Sequence, residues 1–522
     1  QFGVGFYSAF LVADRVEVFS QSCQDVLADR KVWRWMSEGD SFTIDDSCEG
    51  DLFGEASGTR IVLHLKTSAD EYLDSQKLAG LLNKYSEFIT FPIELWNERT
   101  RYDQVVDVDT KETKTVPRSE FAWEVTNKVK PLWLRSPHTI NQSDYNEFYR
   151  NTFKSFDDPL TTTHFRVEGQ TDFRALIFVP TNVPFELARD MFAENGRAMR
   201  LYVKRVFIND KFEDLVPRWL TFVRGVVDAE DLPLNVGREI LQQSRTLNII
   251  RKRVVRKVLD TLEDLQENEP AKFDLFSANY GRYFKVGFIE DLDSRDALRP
   301  FLRFSSSKSG NNSTSLLGYA SRMKQGQDAI YFVTGEGKRA AEMSPAMEKM
   351  RSMGYEVLYM IDPLDEICAR NLGEFKGHKL VDINAAGLSF NQTEEEKQHY
   401  EATSEEFKNF TTWLKAKLVD KVEEVQISDR LVESPAVVVQ GAWGMSPMMQ
   451  RYMKSASNAQ DSPFTMGAVD QAVLEINPNH PIISSLRSAM DDGLNDTATD
   501  DMVTMLFETA ALLGGYAIDD LG

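Results

Sequence analysis

Residues 329–383 indicate the fold class, and they read AIYFVTGEGKRAAEMSPAMEKMRSMGYEVLYMIDPLDEICARNLGEFKGHKLVDI. Three short apolar runs predict strands at 329–333, 356–361 and 379–383. The intervening segments, 338–352 and 364–371, have the patterns of helices. Strands that alternate with helices in this way are typical of βαβ units. This stretch therefore predicts an α/β domain.

The sequence before this stretch indicates a second α/β domain and a linker. Strand-like runs at 16–19 and 59–65 and a helical pattern at 75–89 predict the end of a domain that closes near residue 96. Residues 97–122 are polar and charged without a helical apolar stripe, which predicts a charged linker. The next domain is expected to span 123–386.

Within 123–386, strands are predicted at 173–179 and 201–208, followed by a long helix. Apolar residues of this helix recur every three or four positions, from Leu247 to Leu265. A polar, Glu-rich stretch then marks the start of a last domain, 387–522. That domain is predicted to contain helices at 405–419 and 502–513 and a strand at 424–428. The whole chain is thus predicted to be an α/β multidomain protein.

Composition excludes several classes of protein. The net charge of −21 disfavours nucleic acid as a partner, because phosphate binding needs a basic face. The basic side chains of the long helix are more simply explained as a solvated face of that helix than as a nucleic-acid site. No run approaches the roughly eighteen apolar residues of a membrane span, so no membrane is expected as a partner. The three cysteines and six histidines show no metal-ligand spacing, and no metal site is predicted from them.

The first candidate site is the glycine-rich segment at 1–11, QFGVGFYSAFL, which runs from a Gly-x-Gly turn into an apolar helix. Glycines let the backbone approach a ligand, and the free N–H groups of a helix start attract an anion. A plain tight turn is the alternative. A second glycine pair, in Gly335-Glu336-Gly337-Lys338, does not fulfil the Walker pattern, which needs Gly at 332 and Ser or Thr at 339.

The second candidate is the loop DLPLNVGREILQQ at 231–243. It delivers Asn235, Arg238 and Gln242 to the start of a helix, which suits a charge-assisted clamp on phosphate. The alternative is a capped helix in which Arg238 pairs with a nearby carboxylate.

The third candidate is the methionine-rich stretch WGMSPMMQRYM at 443–453. Met449 and Met453 are four residues apart on one predicted helix face, next to the polar Gln450 and Arg451. Methionines are flexible and polarisable, and they suit surfaces that accept many apolar partners. Ordinary core packing is the alternative for such a stripe.

At these motifs the chain closely resembles the family of 90-kDa heat-shock protein chaperones. The resemblance covers nearly all 522 residues and rests on many blocks in one order. Among these blocks are QFGVGFYSAFLVAD at 1–14, GTRIVLHLK at 58–66, KPLWLRSP at 130–137, LYVKRVFIND at 201–210, FVRGVVDAEDLPLNVGREILQQS at 222–244 and LEINPNHP at 474–481. The family consists of dimeric, ATP-driven chaperones.

The resemblance implies three domains. These are a Bergerat-type ATPase α/β sandwich, of which 1–96 would be the end, an α/β middle domain at 123–386, and an α+β C-terminal dimerisation domain at 387–522. On this basis the chain is expected to be truncated at both ends. The catalytic carboxylate, the adenine-binding aspartate and the Mg²⁺-binding asparagine are then expected upstream of Gln1, so the 522 residues alone are not expected to hydrolyse ATP.

For the residues present, the resemblance implies contacts with ATP. Gly3, Val4, Gly5 and Phe6 match the segment that closes over the phosphates, and Thr59 matches a threonine at the floor of the pocket. Arg238 matches the middle-domain arginine that reaches the terminal phosphate, with Asn235 and Gln242 as its neighbours. A preorganised cation there stabilises charge on phosphate oxygens. Gly237 departs from the family's usual serine, and hydrolysis could be slower for that reason.

The resemblance also implies partners. Unfolded or partly folded client proteins are expected to contact Trp133, Met449 and Met453, although Met445 and Met448 depart from the family's usual residues. Co-chaperones are further expected partners, and a homodimer is expected for the full-length protein. With only the first of the paired C-terminal helices, the 522-residue chain is expected to be chiefly monomeric. Several blocks look most like the endoplasmic-reticulum form, with plastid forms close behind, so the lumen of the endoplasmic reticulum is favoured, and a plastid or the cytoplasm stays open as an alternative.

Two hypotheses that assign the chain to other classes of protein compete with this one. Another Bergerat-fold ATPase, such as a type II topoisomerase, would need a basic DNA track, which the acidic composition does not favour. A nucleotide-independent scaffold that holds clients would need neither ATP nor Arg238, and it stays open for the 522 residues taken by themselves.

Overall fold

The computed structural model describes residues 4–22, 31–46, 53, 57–89, 91–106, 113–127, 131–169, 171–230, 232, 245–388, 394–418, 421–441, 445–456, 472–493 and 497–516. The chain divides into two compact units, 1–264 and 265–522. This division differs from the three expected domains, whose boundaries stay predictions. The mixture of helices with several sheets confirms the predicted α/β multidomain class.

The first unit opens with a four-stranded antiparallel sheet. A 3₁₀ turn at Val4–Ser8 leads into one helical turn, α1, before the first strand. The elements are α1 (Ala9–Val12), β1 (Ala13–Gln21), β2 (Val32–Ser37), β3 (Phe42–Asp45), β4 (Gly58–Leu65) and α2 (Ser75–Tyr85). The strand order is β3-β2-β1-β4. Asp74 caps α2 by accepting a hydrogen bond from the Gln76 N–H.

The segment expected to be a linker is instead largely β structure. β5 (Glu94–Val106) and β6 (Thr113–Val125) pair in an antiparallel ladder that starts at Glu94 and Val125. Three aromatic rings on one side support it: Trp96 lies 5.2 Å from Trp123 and 6.2 Å from Phe121. Cross-strand aromatic pairs stabilise such ladders. The many charges of this segment hid its β pattern.

A five-stranded sheet forms the rest of the first unit. Its elements are α3 (Gln142–Phe153), β7 (Pro159–Val167), β8 (Phe173–Pro180), α4 (Phe185–Arg189), β9 (Ala198–Val203), β10 (Val206–Asn209) and β11 (Arg224–Ala229). The order is β10-β9-β11-β8-β7, in which only β9 and β11 are parallel. The single strand predicted at 201–208 is two strands, because Lys204 and Arg205 both have positive φ and make a tight hairpin turn.

Helix α5 (Arg245–Asn268) begins in the first unit and confirms the predicted long helix. Its predicted apolar side is buried: Leu247, Ile250, Val254, Val258, Leu262 and Leu265 are at most 4% exposed. The Thr261 and Thr163 hydroxyls, 2.8 Å apart, join α5 to β7.

The second unit contains the predicted βαβ units. Its elements are α6 (Pro270–Glu290), α7 (Arg295–Leu298), β12 (Arg303–Ser306), β13 (Thr314–Ser315), α8 (Leu316–Ser321), β14 (Ala329–Thr334), α9 (Lys338–Met343), α10 (Met347–Met353), β15 (Val357–Met360), α11 (Pro363–Leu372), β16 (Glu374–Phe375) and β17 (His378–Asp382). The sheet order is β13-β12-β15-β14-β17-β16, with β15, β14 and β17 parallel. The single helix predicted at 338–352 is two helices, since Pro345 cannot continue an α-helix.

The C-terminal part of this unit packs helices against a three-stranded sheet. Its elements are α12 (Glu394–Lys417), β18 (Glu424–Ile427), β19 (Ala436–Gln440), α13 (Pro447–Ala456), β20 (Ala472–Ile476), α14 (Pro481–Asp491) and α15 (Thr497–Leu513). The order is β18-β20-β19, and one apolar core joins the sheet to α12, α14 and α15. α12 starts earlier than predicted because three glutamates occupy its first turn. Negative charges at the start of a helix interact favourably with the helix dipole and stabilise this end. Within the described residues, no helix is long and apolar enough to span a membrane.

Candidate functional site

The glycine-rich segment lies over one face of the first sheet. Gly3 lies outside the described residues, and the side chain of Val4 is not described. From Val4 the chain makes a 3₁₀ turn, closed by the Ser8 hydroxyl, which donates to the Gly5 carbonyl at 2.6 Å. The ring of Phe6 then contacts Trp35 on β2, with centroids 5.5 Å apart. The segment that precedes β1 therefore folds back across the sheet.

Thr59 lies on the face that Phe6 covers. Val18 on β1 pairs with Trp35 on one side and with Ile61 on the other. Because side chains alternate along a strand, Thr59 points to the same face as Ile61. Its hydroxyl lies 3.2 Å from that of Ser20, the residue opposite it. The structure thus brings Phe6 and Thr59 to one face, as a shared ligand site requires.

This face carries exposed apolar side chains beside Thr59. Trp33, Phe42, Ile44 and Ile61 are 49–63% exposed. An apolar floor with a few polar groups is typical of ligand sites.

On the opposite face of the same sheet, a carboxylate interacts with an arginine and a histidine. The Glu17 carboxylate lies 3.0 Å from Arg34 and 2.9 Å from the His64 ring. Burial alone would raise the pKa of Glu17, but hydrogen bonds from His64 and Arg34 outweigh it and lower this pKa.

The loop that contains Asn235, Arg238 and Gln242 lies outside the described residues, and only its two ends are placed. At one end, β11 is buried from Gly225 to Ala229, and Leu232 just beyond it is 5% exposed. At the other end, α5 begins at Arg245. The role of Arg238 as a phosphate contact stays a prediction.

Trp133 is placed in the core of the first unit. It is 1% exposed, and its indole lies 4.6 Å from the ring of Phe88 and 5.2 Å from that of Tyr202. Its Nε1–H donates to the Asp228 carboxylate at 3.0 Å. Burial raises the pKa of Asp228 in spite of this bond. A tryptophan buried in this way presents no surface, so its placement gives no support to a client contact at Trp133.

The two methionines of the third candidate lie on α13. Met449 is half-buried and Met453 is 41% exposed, whereas Met448 points inward at 7%. The Ser446 hydroxyl caps the helix by accepting from the Met449 N–H at 3.1 Å, and it donates to the buried Glu366. The start of α13 is therefore fixed by hydrogen bonds, while one side of the helix is exposed to solvent.

Sequence reasoning missed Tyr452 on the same helix. Tyr452 is 48% exposed and adjoins Met453, and Met445, just before the helix, is 39% exposed. An exposed side with mixed aromatic and thioether groups gives α13 an adaptable apolar surface. The available signal was the three-residue spacing of Met449 and Tyr452, which places both on one side of a helix.

Neither metal ligands nor a reactive thiol stand out in the described part of the chain. It contains no group of three or more His, Cys, Asp or Glu arranged to hold a metal ion. Cys368 is buried, and burial raises its pKa to about 12, which keeps the thiol protonated.

A family model and two curated relatives agree in the comparisons with known proteins. A family model described as Hsp90 protein matches residues 71–113 and 103–522. An endoplasmin homolog of Caenorhabditis elegans is 38% identical over 541 aligned positions, which cover all of this chain and 69% of that protein. Heat shock protein 90-6, mitochondrial, of Arabidopsis thaliana is 40% identical over 539 positions, covering all of this chain and 66% of that protein. The chain thus spans about two thirds of the length of these relatives.

Proposed function

The chain belongs to the Hsp90 protein family, and from this premise we propose that it acts as an ATP-dependent molecular chaperone. In this proposal it binds unfolded or partly folded client proteins and couples ATP binding and hydrolysis to closure of a clamp. The observation that carries the proposal is the similarity to two family members over the entire chain.

On the nucleotide side, Gly3 to Phe6 would close over the phosphates of ATP, with Thr59 on the floor beneath. The common face of Phe6 and Thr59 supports this arrangement. Arg238 would contact the terminal phosphate from the loop between β11 and α5, with Asn235 and Gln242 beside it. A guanidinium suits this role because it stays charged and matches phosphate oxygens in pairs. Mg²⁺ would accompany the nucleotide.

On the client side, α13 is the better supported candidate. Its exposed Tyr452 and Met453 form an apolar surface beside the charged Arg451, which pairs with Glu336 at 2.8 Å. Unfolded chains expose varied apolar groups, and flexible methionines adapt to many of them.

Helix α15 supports the proposed homodimer. Its outer side leaves Met502, Met505 and Leu512 between 45% and 67% exposed, while Val503 and Leu506 pack inward. Contiguous apolar surface of this kind marks interaction sites.

A second function is a client-holding scaffold that needs no nucleotide. The observation that favours it is that Tyr452 and Met453 of α13 are 48% and 41% exposed and are not among the residues of the nucleotide face. Both functions predict that the 522-residue chain suppresses aggregation of a heat-labile test enzyme, followed by light scattering. Absence of any suppression contradicts both.

ATP separates the two functions. We consider a version of the protein with a complete nucleotide-binding domain. The chaperone proposal predicts that ATP changes how much of the heat-labile test enzyme this version binds. The scaffold expects no change.

A further inference from the structure

A polar cavity in the second unit is not used by the proposed function. It has a volume of about 390 Å³ and lies between α6, β12, the loop at 311–313 and the chain that follows β15. Its floor is a stripe of small residues on α6, namely Ser277, Ala278 and Gly281. A Cβ at Gly281 would meet only the Ser277 hydroxyl, at 3.8 Å. Pockets for small molecules have volumes of about 300–1,000 Å³, so this cavity is large enough for one.

Two cations of the cavity wall are already neutralised. Arg282 lies 3.1 Å from Asp362, and Lys285 lies 2.5 Å from Asp365. The second pair is almost fully buried, with its side chains 13% and 4% exposed. In both pairs a carboxylate of the same cavity wall already offsets the positive charge.

Arg303 differs from these two. Among the described residues, no carboxylate lies within ion-pair distance of its guanidinium, and its Nε–H is buried without a hydrogen-bond partner. Its guanidinium stacks over the ring of Phe273 at 5.0 Å. Burial lowers the pKa of Arg303, and the more distant charge of Asp274 opposes this shift only in part. Arg303 thus faces the cavity without a close ion-pair partner among the described residues, and Asp274 of the same wall offsets its charge only in part.

A partly buried cation with an unpaired N–H is unfavourable unless something else satisfies it. Guanidinium groups bind the oxygens of carboxylates and phosphates in pairs, which gives them geometric specificity. The same cavity wall carries the side chains of Ser277, Ser305 and Asn312, which supply neutral hydrogen-bond donors. Donors of this kind complete the coordination of an oxyanion or bind hydroxyl groups next to it.

We propose that this cavity binds a small hydrophilic molecule through a carboxylate or phosphate group that pairs with Arg303. The cavity is larger than a bare ion needs, so the rest of the ligand occupies the space above Ala278 and Gly281. This site is independent of the nucleotide face and of α13, and the proposal does not rest on either.

The test is isothermal titration calorimetry of the 522-residue chain with inorganic phosphate and, separately, with acetate, at constant ionic strength. Saturable binding of one probe identifies which oxyanion the site prefers. Arg303→Ala is expected to weaken this binding about ten- to hundredfold, the range for a hydrogen bond to a charged group. Arg339→Ala is the matched control, because Arg339 is exposed on α9, outside the cavity wall.

A second variant separates loss of binding from loss of folding. Gly281→Leu fills the cavity from α6 and favours the helix, so it should abolish binding while the melting temperature is kept. The proposal is overturned if neither probe binds, or if binding is unchanged in either Arg303→Ala or Gly281→Leu.

Discussion

The guanidinium of Arg430 lies 2.8 Å from the carboxylate of Glu475, and the two side chains are 2% and 3% exposed. Arg430 also donates to the carbonyl of Ala385 at 2.9 Å, and Ser428 donates to Glu475 at 2.9 Å. The pair therefore ties the chain after β17 to the C-terminal sheet. The Arg430–Ala385 bond crosses the domain boundary expected after residue 386, and it lies within the compact unit 265–522.

Removing one member of this pair should destabilise the second unit strongly. We expect Glu475→Ala to lower the free energy of unfolding by about 3–5 kcal/mol, because it leaves Arg430 buried and unpaired. The double variant Arg430→Met/Glu475→Leu should lose much less, since no charge stays buried. Urea denaturation measures both variants, and equal losses in the two would contradict this reasoning.

Glu348 should make the same unit sensitive to acid. Its carboxylate accepts the backbone N–H groups of Val432 and Glu433 at 2.7 and 2.8 Å and the Ser434 hydroxyl at 2.6 Å. Burial alone would raise the pKa of Glu348, but these hydrogen bonds lower it below the ordinary 4.5. The stability contributed by the ionised carboxylate is thus complete above that value and is lost as the pH falls through the lower, folded pKa.

Glu348→Gln is therefore expected to lower the melting temperature at neutral pH, and the difference from the wild type should shrink as the pH falls below 4.5. Thermal unfolding followed by circular dichroism measures it. Glu374→Gln, at an exposed glutamate, is the control and should show neither effect. A melting difference for Glu348→Gln that does not depend on pH would argue against this role of the carboxylate.

Trp133 should act on stability through its bond to Asp228. Trp133→Phe keeps an aromatic ring in the core but leaves the buried carboxylate without its indole donor. We expect a loss of about 1–3 kcal/mol in the free energy of unfolding. The control Trp33→Phe, at a residue 49% exposed, should change it by no more than about 0.5 kcal/mol. If the Trp133→Phe variant is as stable as the wild type but binds clients more weakly, this result would instead support the client contact predicted for Trp133 from the sequence.

The strands and long helices were predictable where one physical signal dominated. The apolar runs of β14 and β15 are fully buried, and such runs leave little choice of structure. The prediction that the apolar side of α5, from Leu247 to Leu265, is buried was confirmed for the same reason. In both cases the apolar signal extends over the whole element.

Other features depend on contacts that the sequence does not display. The turn at Lys204 and Arg205 lacks glycine, and the backbone N–H of Arg205 is held there by Asp228 at 3.1 Å. The side of α13 that faces outward depends on how Ser446 anchors the helix to Glu366. The resemblance selected Trp133, Met449 and Met453 together, but only the fold distinguishes the buried tryptophan from the exposed Met453.

The client surface of α13 can be tested by removing its thioethers. Met449→Ser/Met453→Ser should weaken suppression of client aggregation and shift the melting temperature by only a few degrees, because one of the two side chains is half-buried and the other exposed. The control Leu317→Ser/Leu292→Ser removes two other exposed apolar groups, 54% and 70% exposed, and should leave suppression unchanged. A destabilisation of several kcal/mol in the first variant would indicate core residues instead.

The most direct test of the proposed ATP-driven cycle is the turnover of ATP by Arg238→Ala, in a version of the protein with a complete nucleotide-binding domain. Arginines directed at a transferred phosphate contribute strongly to turnover, so we expect a loss of about tenfold or more in the variant. Affinity for ADP should stay nearly unchanged, because ADP lacks the phosphate that Arg238 would contact. Turnover equal to that of the wild type would contradict the assignment of Arg238 and the coupling built on it.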